Sequence, residues 1–441
     1  MLACPDCDLL HRAAAPARRT MQLCVRCGAV LGRGRPATLD TALALYVTAL
    51  ILFCLANAFP LMTLRLHGNM REASIPGCVQ ILATLGWPWL SATLLTTVIL
   101  GPLVHLVGMV VVLLQLARGR RRAWIARAFR ILEEFRSWGM TEVFVLGVMV
   151  SYTKLAGMTT VKPGLALYAL GGFLVAAALA MSSLEPRTVW EAAGVPEAAP
   201  PQASGGLTAR RAGLQACPAC GLVAPLAQRA PCARCGATLH SRKPDSATRT
   251  WALLIASALL YIPANVLPVT HVVQLGRAHE DTILSGVIYF LRTGSWPLAL
   301  LIFVASVLVP VVKFVVISYL LLSIRFRSRW RPRRRAGLYR LTEGVGRWSM
   351  VDIYAISIMV AMLQMGSMSS VVPRPGAMAF ATMVVATIMA VRSFDPRLVW
   401  DAMDSMPGLR PGMERGSLRG DEERPTGAGG PPSVILEPGN G

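Results

Sequence analysis

Charge is scarce in this chain of 441 residues. Only 15% of residues are Asp, Glu, Lys or Arg, against about 25% in a typical soluble domain. So few charges cannot clothe the water-facing surface of a chain this long. Acidic residues are scarcest, 23 against 44 basic, which leaves a net charge of +21. No GxxxxGK[ST] loop is present, which excludes ATP hydrolysis by that machinery. A G-x-S-x-G elbow and an H-E-x-x-H helix are also missing, and no enzymatic role is expected. A cleavable signal peptide is not expected, because Met1–Arg35 carries cysteines and arginines where its apolar core would stand. Apolar residues, at 54%, are abundant, which excludes a disordered chain and leaves an integral membrane protein.

Nearly uncharged runs occupy Thr41–Leu61, Trp89–Ala117, Val143–Val161, Leu165–Leu184, Thr250–Leu275, Pro297–Ile324, Ile353–Val372 and Ala377–Val391. A helix needs about 20 apolar residues to cross a bilayer, so eight spans are expected. Helices are expected because an open strand cannot satisfy its backbone in lipid. Arginines cluster at Arg118–Arg130 and Arg325–Arg335, between spans two and three and between spans six and seven. The positive-inside rule puts these clusters, both termini and the middle segment in the cytoplasm. The basic charge therefore reads as topology and inner-leaflet contact, not nucleic-acid binding.

The chain repeats itself at an offset of 208–210 residues. Cys24-Val-Arg-Cys27-Gly matches Cys232-Ala-Arg-Cys235-Gly, and Asn57-Ala-Phe-Pro60 matches Asn265-Val-Leu-Pro268. Trp138-Gly-Met140 matches Trp348-Ser-Met350, and Pro186-Arg187-Thr-Val-Trp190 matches Pro396-Arg397-Leu-Val-Trp400. The expected architecture is an all-α integral membrane protein of two tandem four-helix transmembrane repeats, each preceded by a small cytosolic zinc ribbon. The expected division is ribbon 1–36, repeat 37–191, linker 192–215, ribbon 216–244, repeat 245–402 and a disordered tail 403–441. Trp87, Trp190, Trp296 and Trp400 flank spans, as interfacial anchors do.

Eight of the ten cysteines form CxxC pairs: Cys4/Cys7 with Cys24/Cys27, and Cys217/Cys220 with Cys232/Cys235. Two such knuckles face four thiolates into a tetrahedron, which suits two structural zinc ions. Disulfide or thiol-exchange use and a rubredoxin-like iron site are the alternatives. Asp8 stands where the other three knuckles carry glycine, so the first quartet is expected to be less regular. Cys54 reads as a packing residue inside span one.

Ionisable groups within spans are costly and default to functional candidates. They are His105, Lys154 and Lys313, with Glu142 and Asp352 opening spans three and seven. His105 and Lys313 are repeat equivalents, each three residues after a proline, and a Lys313–Asp352 pair is one expected relay. The bland alternatives are a packing histidine, a structural lysine and snorkelling carboxylates.

Two CxxC…CxxC modules, each followed by four spans with an N-x-x-P end and a W-x-M start, resemble the paraquat-inducible protein A family. The resemblance covers about residues 1–402. It implies a multi-pass protein of the Gram-negative inner membrane that partners an MCE-domain periplasmic tunnel protein. The implied task is to load or receive phospholipid for that tunnel, with any energy coming from an ion gradient or a partner. A non-transporting anchor or regulatory scaffold for the MCE protein, and a thiol oxidoreductase, are the competing expectations.

Overall fold

A computed structural model of the chain describes residues 1–12, 20–34, 38–66, 69–120, 122–136, 139–156, 160–193, 207–227, 230–274, 277–328, 330–363, 369–404 and 434–436. The described residues are mostly helical. Seven helices are long and apolar enough to cross a membrane: Leu39–Ala58, Pro88–Ala117, Leu165–Ser183, Ser246–Val266, Trp296–Arg325, Pro332–Met362 and Pro375–Ser393. Ile51, Val175 and Leu179 in the first half, and Ile255, Leu259 and Val315 in the second, lie exposed on these helices. Apolar exposure on this scale requires lipid, so the molecule is a membrane protein.

The remaining expected span, Val143–Val161, is a 16-residue helix, Thr141–Ala156, followed by a strand, Thr160–Pro163. At 1.5 Å per residue it is too short to cross a bilayer unaided. It pairs instead with its repeat equivalent, Val351–Met362, at the middle of the molecule. These two central helices join the halves. The most apolar stretch of Pro332–Met362 is 81% buried, against 22% for that of Ser246–Val266 at the periphery.

Each half places its opening helix against its closing one: Leu39–Ala58 on Leu165–Ser183, and Ser246–Val266 on Pro375–Ser393. A β-hairpin follows each opening helix. Met62–Leu66 pairs with Asn69–Ala73 and with Thr160–Pro163; Thr270–Gln274 pairs with Arg277–Asp281 and with Ser369–Pro373. The apolar runs expected to end at Val161, Leu275 and Val372 therefore overran their helices into strands. A run of Val and Thr has no period that separates a helix end from a buried strand. Short apolar helices, Ile75–Thr84 and Ile283–Arg292, follow the hairpins, capped by the repeat-equivalent Ser74 and Thr282. The end of the molecule bearing the hairpins is called the hairpin side, and the opposite end the ribbon side.

The long second helix of each half widens into a π segment, Leu95–Leu100 and Val304–Leu308, where Gly101 and Val309 donate to carbonyls five residues back. The cause is Pro102 and Pro310 just downstream. Each lacks an N–H, and its ring presses on the carbonyl four residues earlier, so the turn opens.

Gly164 and Gly376 precede the closing helices, and each lies against the end of the opening helix. A Cβ on Gly164 would stand on the Pro60 carbonyl oxygen, and one on Gly376 would lie 2.6 Å from the Leu267 and Pro268 carbonyls. Backbone cannot yield as a side-chain tip can, so Gly164→Val is expected to destabilise the first half by about 3 kcal/mol or more. A thermal melt of the purified protein checks this; an unchanged midpoint would contradict the contact.

Candidate functional site

The two cysteine quartets are built alike. In every knuckle the first cysteine's N–H donates to a carbonyl five residues on, as from Cys4 to Leu9 and from Cys24 to Ala29. The residue after the second cysteine returns its N–H to the first cysteine's carbonyl. That residue adopts a left-handed conformation in all four knuckles: Asp8 (φ 64°), Gly28 (72°), Gly221 (70°) and Gly236 (70°). The first quartet is thus as regular as the second, contrary to the expectation from Asp8. Aspartate tolerates this conformation better than most residues. Its buried carboxylate also accepts from the Arg210 N–H at 3.3 Å and from Arg242 Nη1 at 3.1 Å. Burial holds the Asp8 carboxyl above its ordinary range, with Arg242 and Arg397 pulling the other way.

Cys4 and Cys27 sulfurs lie 3.5 Å apart and Cys7 and Cys24 3.4 Å; the second quartet shows 3.5 Å and 3.6 Å. All four Sγ atoms of each quartet lie within 4.8 Å of one another. A tetrahedron with metal–sulfur bonds of about 2.3 Å has edges of about 3.8 Å, so either quartet could hold a metal ion. Four thiols this close share their protons unequally. Hydrogen bonding to Cys24 holds Cys7 far above the usual thiol range, while hydrogen bonds from Cys27 and Cys217 hold Cys24 and Cys232 below it. Buried His11, not singled out from the sequence, places Nε2 3.3 Å from Cys24 Sγ.

The ribbons cross over. The first packs mainly with the second half, among Ile317, Leu320, Tyr339, Phe394 and Trp400, while Arg187 of the first half donates to its Leu31 carbonyl at 3.0 Å; the second meets the first half at Arg130 and the second half through the Lys243 N–H, which donates to Asp395. Repeat-equivalent arginines secure both seats. Arg340 Nη2 donates to the Cys27 carbonyl at 3.2 Å, and Arg130 Nη1 donates to the Cys235 carbonyl at 3.1 Å. Arg340 also pairs with Asp6 at 2.7 Å, and Arg242 pairs with Asp8 at 3.1 Å and Asp401 at 2.7 Å. Trp190 and Trp400 are buried in these seats, beside Phe129 and under Arg26, so they are not interfacial anchors. The tail expected to be disordered adds one strand, Val434–Leu436, to Met21–Leu23 of the first ribbon. Its Val-Ile-Leu run covers an edge that would otherwise stand open. Cys54 faces outward on the opening helix and is not a packing residue.

Between the halves on the ribbon side lies a cavity of about 500 Å³, lined by Arg136, Glu142, Arg340, Glu343, Gly346 and Arg392 among others. A smaller apolar slot of about 70 Å³ shares Arg136, Gly139, Glu142 and Met181 with it and reaches His105, Phe135 and Phe173. The structure thus brings together His105 and Glu142. His105 Nδ1 lies 3.1 Å from the Leu132 carbonyl, which can only accept, so Nδ1 carries the proton. Its buried Nε2 has no hydrogen-bond partner among the described residues. Lys313 is buried beside the cavity and donates to the Gly346 carbonyl at 2.9 Å and to Ser349 Oγ at 3.1 Å. His105 and Lys313 therefore do equivalent work, each fastening its long helix to the segment that leads into the central helix. Lys154 and Asp352 fall on central-helix backbone, and their side chains lie outside the described residues.

The family model "Paraquat-inducible protein A" matches residues 39–194 and 247–404, one stretch in each half. The chain is 32% identical to the intermembrane transport protein PqiA of Escherichia coli over 91% of its own length and 95% of that protein. It is 30% identical to the lipophilic envelope-spanning tunnel protein A of the same species, over 91% of each chain. A probable intermembrane transport protein of Haemophilus influenzae is 26% identical over 92% of this chain and 96% of its own. No solved structure matches. Matched in both halves, and similar to these relatives along nearly its whole length, the chain belongs to the paraquat-inducible protein A family.

Proposed function

We propose that this protein is an inner-membrane subunit of a phospholipid transport system, loading or receiving lipid for an MCE-domain tunnel across the periplasm. Its ribbons and termini face the cytoplasm, as the arginine collars indicate. The observation that carries this reading is the cavity between the halves. It has the size of a ligand site, charged lining from both repeats, and an apolar slot opening from its wall. The names of the relatives support the same direction. Each quartet holds a zinc ion. Four sulfurs close the coordination shell and leave no open position for catalysis, so the metal supplies structure.

Filling the cavity tests the transport reading. Tryptophan at Met181 and Ile388, one lining residue from each half, is expected to reduce phospholipid transfer from proteoliposomes to the MCE partner to the protein-free background. Transfer at the unmodified rate, with normal folding, would instead favour a non-transporting anchor.

A further inference from the structure

Exposed apolar residues decide little by themselves in a membrane protein, because lipid covers them as well as protein does. The two repeats supply a comparison, since equivalent helices should be covered alike. They are not. In the first half the hairpin and the helix behind it reach across the molecule: Asn69–Ala73 and Ile75–Thr84 both pack on Val351–Met362, the central helix of the second half. Among the described residues no comparable packing joins Arg277–Asp281 or Ile283–Arg292 to Thr141–Ala156. Both faces that would meet there are uncovered. Met149 is 51% exposed, whereas its repeat equivalent Met359 is 4% exposed. Thr153 is exposed and its equivalent Leu363 is buried. On the opposing helix Tyr289 is exposed, and a Cβ on Gly286 would meet nothing within 4 Å. Their equivalents are Ile81, half-buried, and Cys78, wholly buried.

We propose that Ile283–Arg292 is a lid on the hairpin side that closes onto Thr141–Ala156, as Ile75–Thr84 already lies on Val351–Met362. What covers the two open faces is read from the other repeat, and the proposal does not depend on the transport reading. The lid packs on Trp296–Phe303 of its own half, so the two can travel together. The π segment Val304–Leu308 comes next, and it packs against the central elements Gly346–Met350 and Val351–Met362. A widened turn is a weak point in the hydrogen-bond ladder, and this one lies between the free part of the helix and the held part. A glycine on the closing face lets two backbones approach as close-packed membrane helices do. Closing buries Tyr289 and Met149 and shuts the seam between the halves on this flank. Opening leaves that seam to lipid. Two packings of one element that lie close in free energy exchange as hinge motions do.

Photo-crosslinking of the full chain in nanodiscs of phosphatidylethanolamine and phosphatidylglycerol tests the closure. Benzoylphenylalanine takes the place of Tyr289 in one sample and of Ile81 in another, and mass spectrometry identifies the peptide joined to it. The Ile81 probe is expected to join 351–362, its neighbour in the resting structure. The Tyr289 probe should join 141–156 at about a tenth of that yield or more, as a populated minor state requires. Gly286→Trp should then cut the Tyr289 yield roughly tenfold, because an indole overpacks the closed face. The same substitution should leave the melting midpoint unchanged, because open space lies beside Gly286 in the resting structure. A Tyr289 probe that joins only lipid or its own half overturns the lid. A yield unmoved by Gly286→Trp, or a melt lowered by it, overturns closure through this face.

Discussion

Serine at Cys27 is expected to remove the metal of the first cluster and to loosen the second half of the membrane domain more than the first. In the proposed zinc site the sulfur would be one of four ligands, and a structural zinc in a small module contributes about 10–16 kcal/mol. That equals or exceeds the whole stability of a typical domain, about 5–15 kcal/mol, so a ribbon without metal does not hold its shape. What unfolds with it is set by the crossed seats. The Cys27 carbonyl accepts from Arg340, and the Val25 and Arg26 carbonyls accept from Arg333. All three contacts fall on Pro332–Val345, which leads into the second central helix. Hydrogen exchange should therefore quicken in 332–345. Cys235→Ser should instead quicken exchange in Ala123–Arg136, where Arg130 loses its carbonyl partner. Elemental analysis should give two zinc ions per unmodified chain and one in each variant. Exchange that quickens in the half following the mutated ribbon along the chain would contradict the crossing.

Much of this arrangement is legible in the residues, and its gaps have physical causes. The duplication and the cysteine quartets are local patterns, and local patterns survive in sequence. The crossing is not local. Cys27 precedes the first repeat, yet its seat is made by Arg340, more than 300 residues away. The one available signal was the match of Arg130 with Arg340 at the repeat offset, which marks equivalent work without naming a partner. Trp190 and Trp400 misled for a related reason. A tryptophan next to a span reads the same whether a headgroup or a ribbon covers it. His105 and Lys313 were legible as intramembrane polar groups, but their backbone acceptors carry no sequence mark. The cavity was not legible, since Arg136, Glu343 and Arg392 look like ordinary helix-end charges until the two halves face each other.

Leucine at Gly147 is expected to separate the halves. Gly147 sits where the two central helices cross, and even a methyl group there would lie 2.7 Å from Tyr354 Cβ, 3.1 Å from the Ala355 nitrogen and 3.2 Å from the Val351 oxygen. Two of these atoms are backbone, so the strain cannot be relieved by turning a side chain. Close backbone approach at a small residue is how helices associate in a medium as apolar as their own side chains. Several contacts depend on that approach. Ser151 Oγ lies 2.9 Å from both the Gly147 and Ala355 carbonyls. Tyr354 donates to Thr97 Oγ1 at 2.9 Å, within the π segment. Phe144 and Tyr354, repeat equivalents of each other, stack edge to face at 5.6 Å. Gly147→Ala should cost about 1–3 kcal/mol by overpacking, and Gly147→Leu more. The graded loss should appear in thermal melts. It should also appear as lost lipid retention at the ribbon side, because the cavity walls come from both halves. The peripheral helices supply the control. Gly171 has open space beside it, and leucine there should leave both readouts unchanged. If Gly147→Leu melted and bound lipid as the unmodified chain does, the central crossing would not be what holds the two repeats, or the cavity, together.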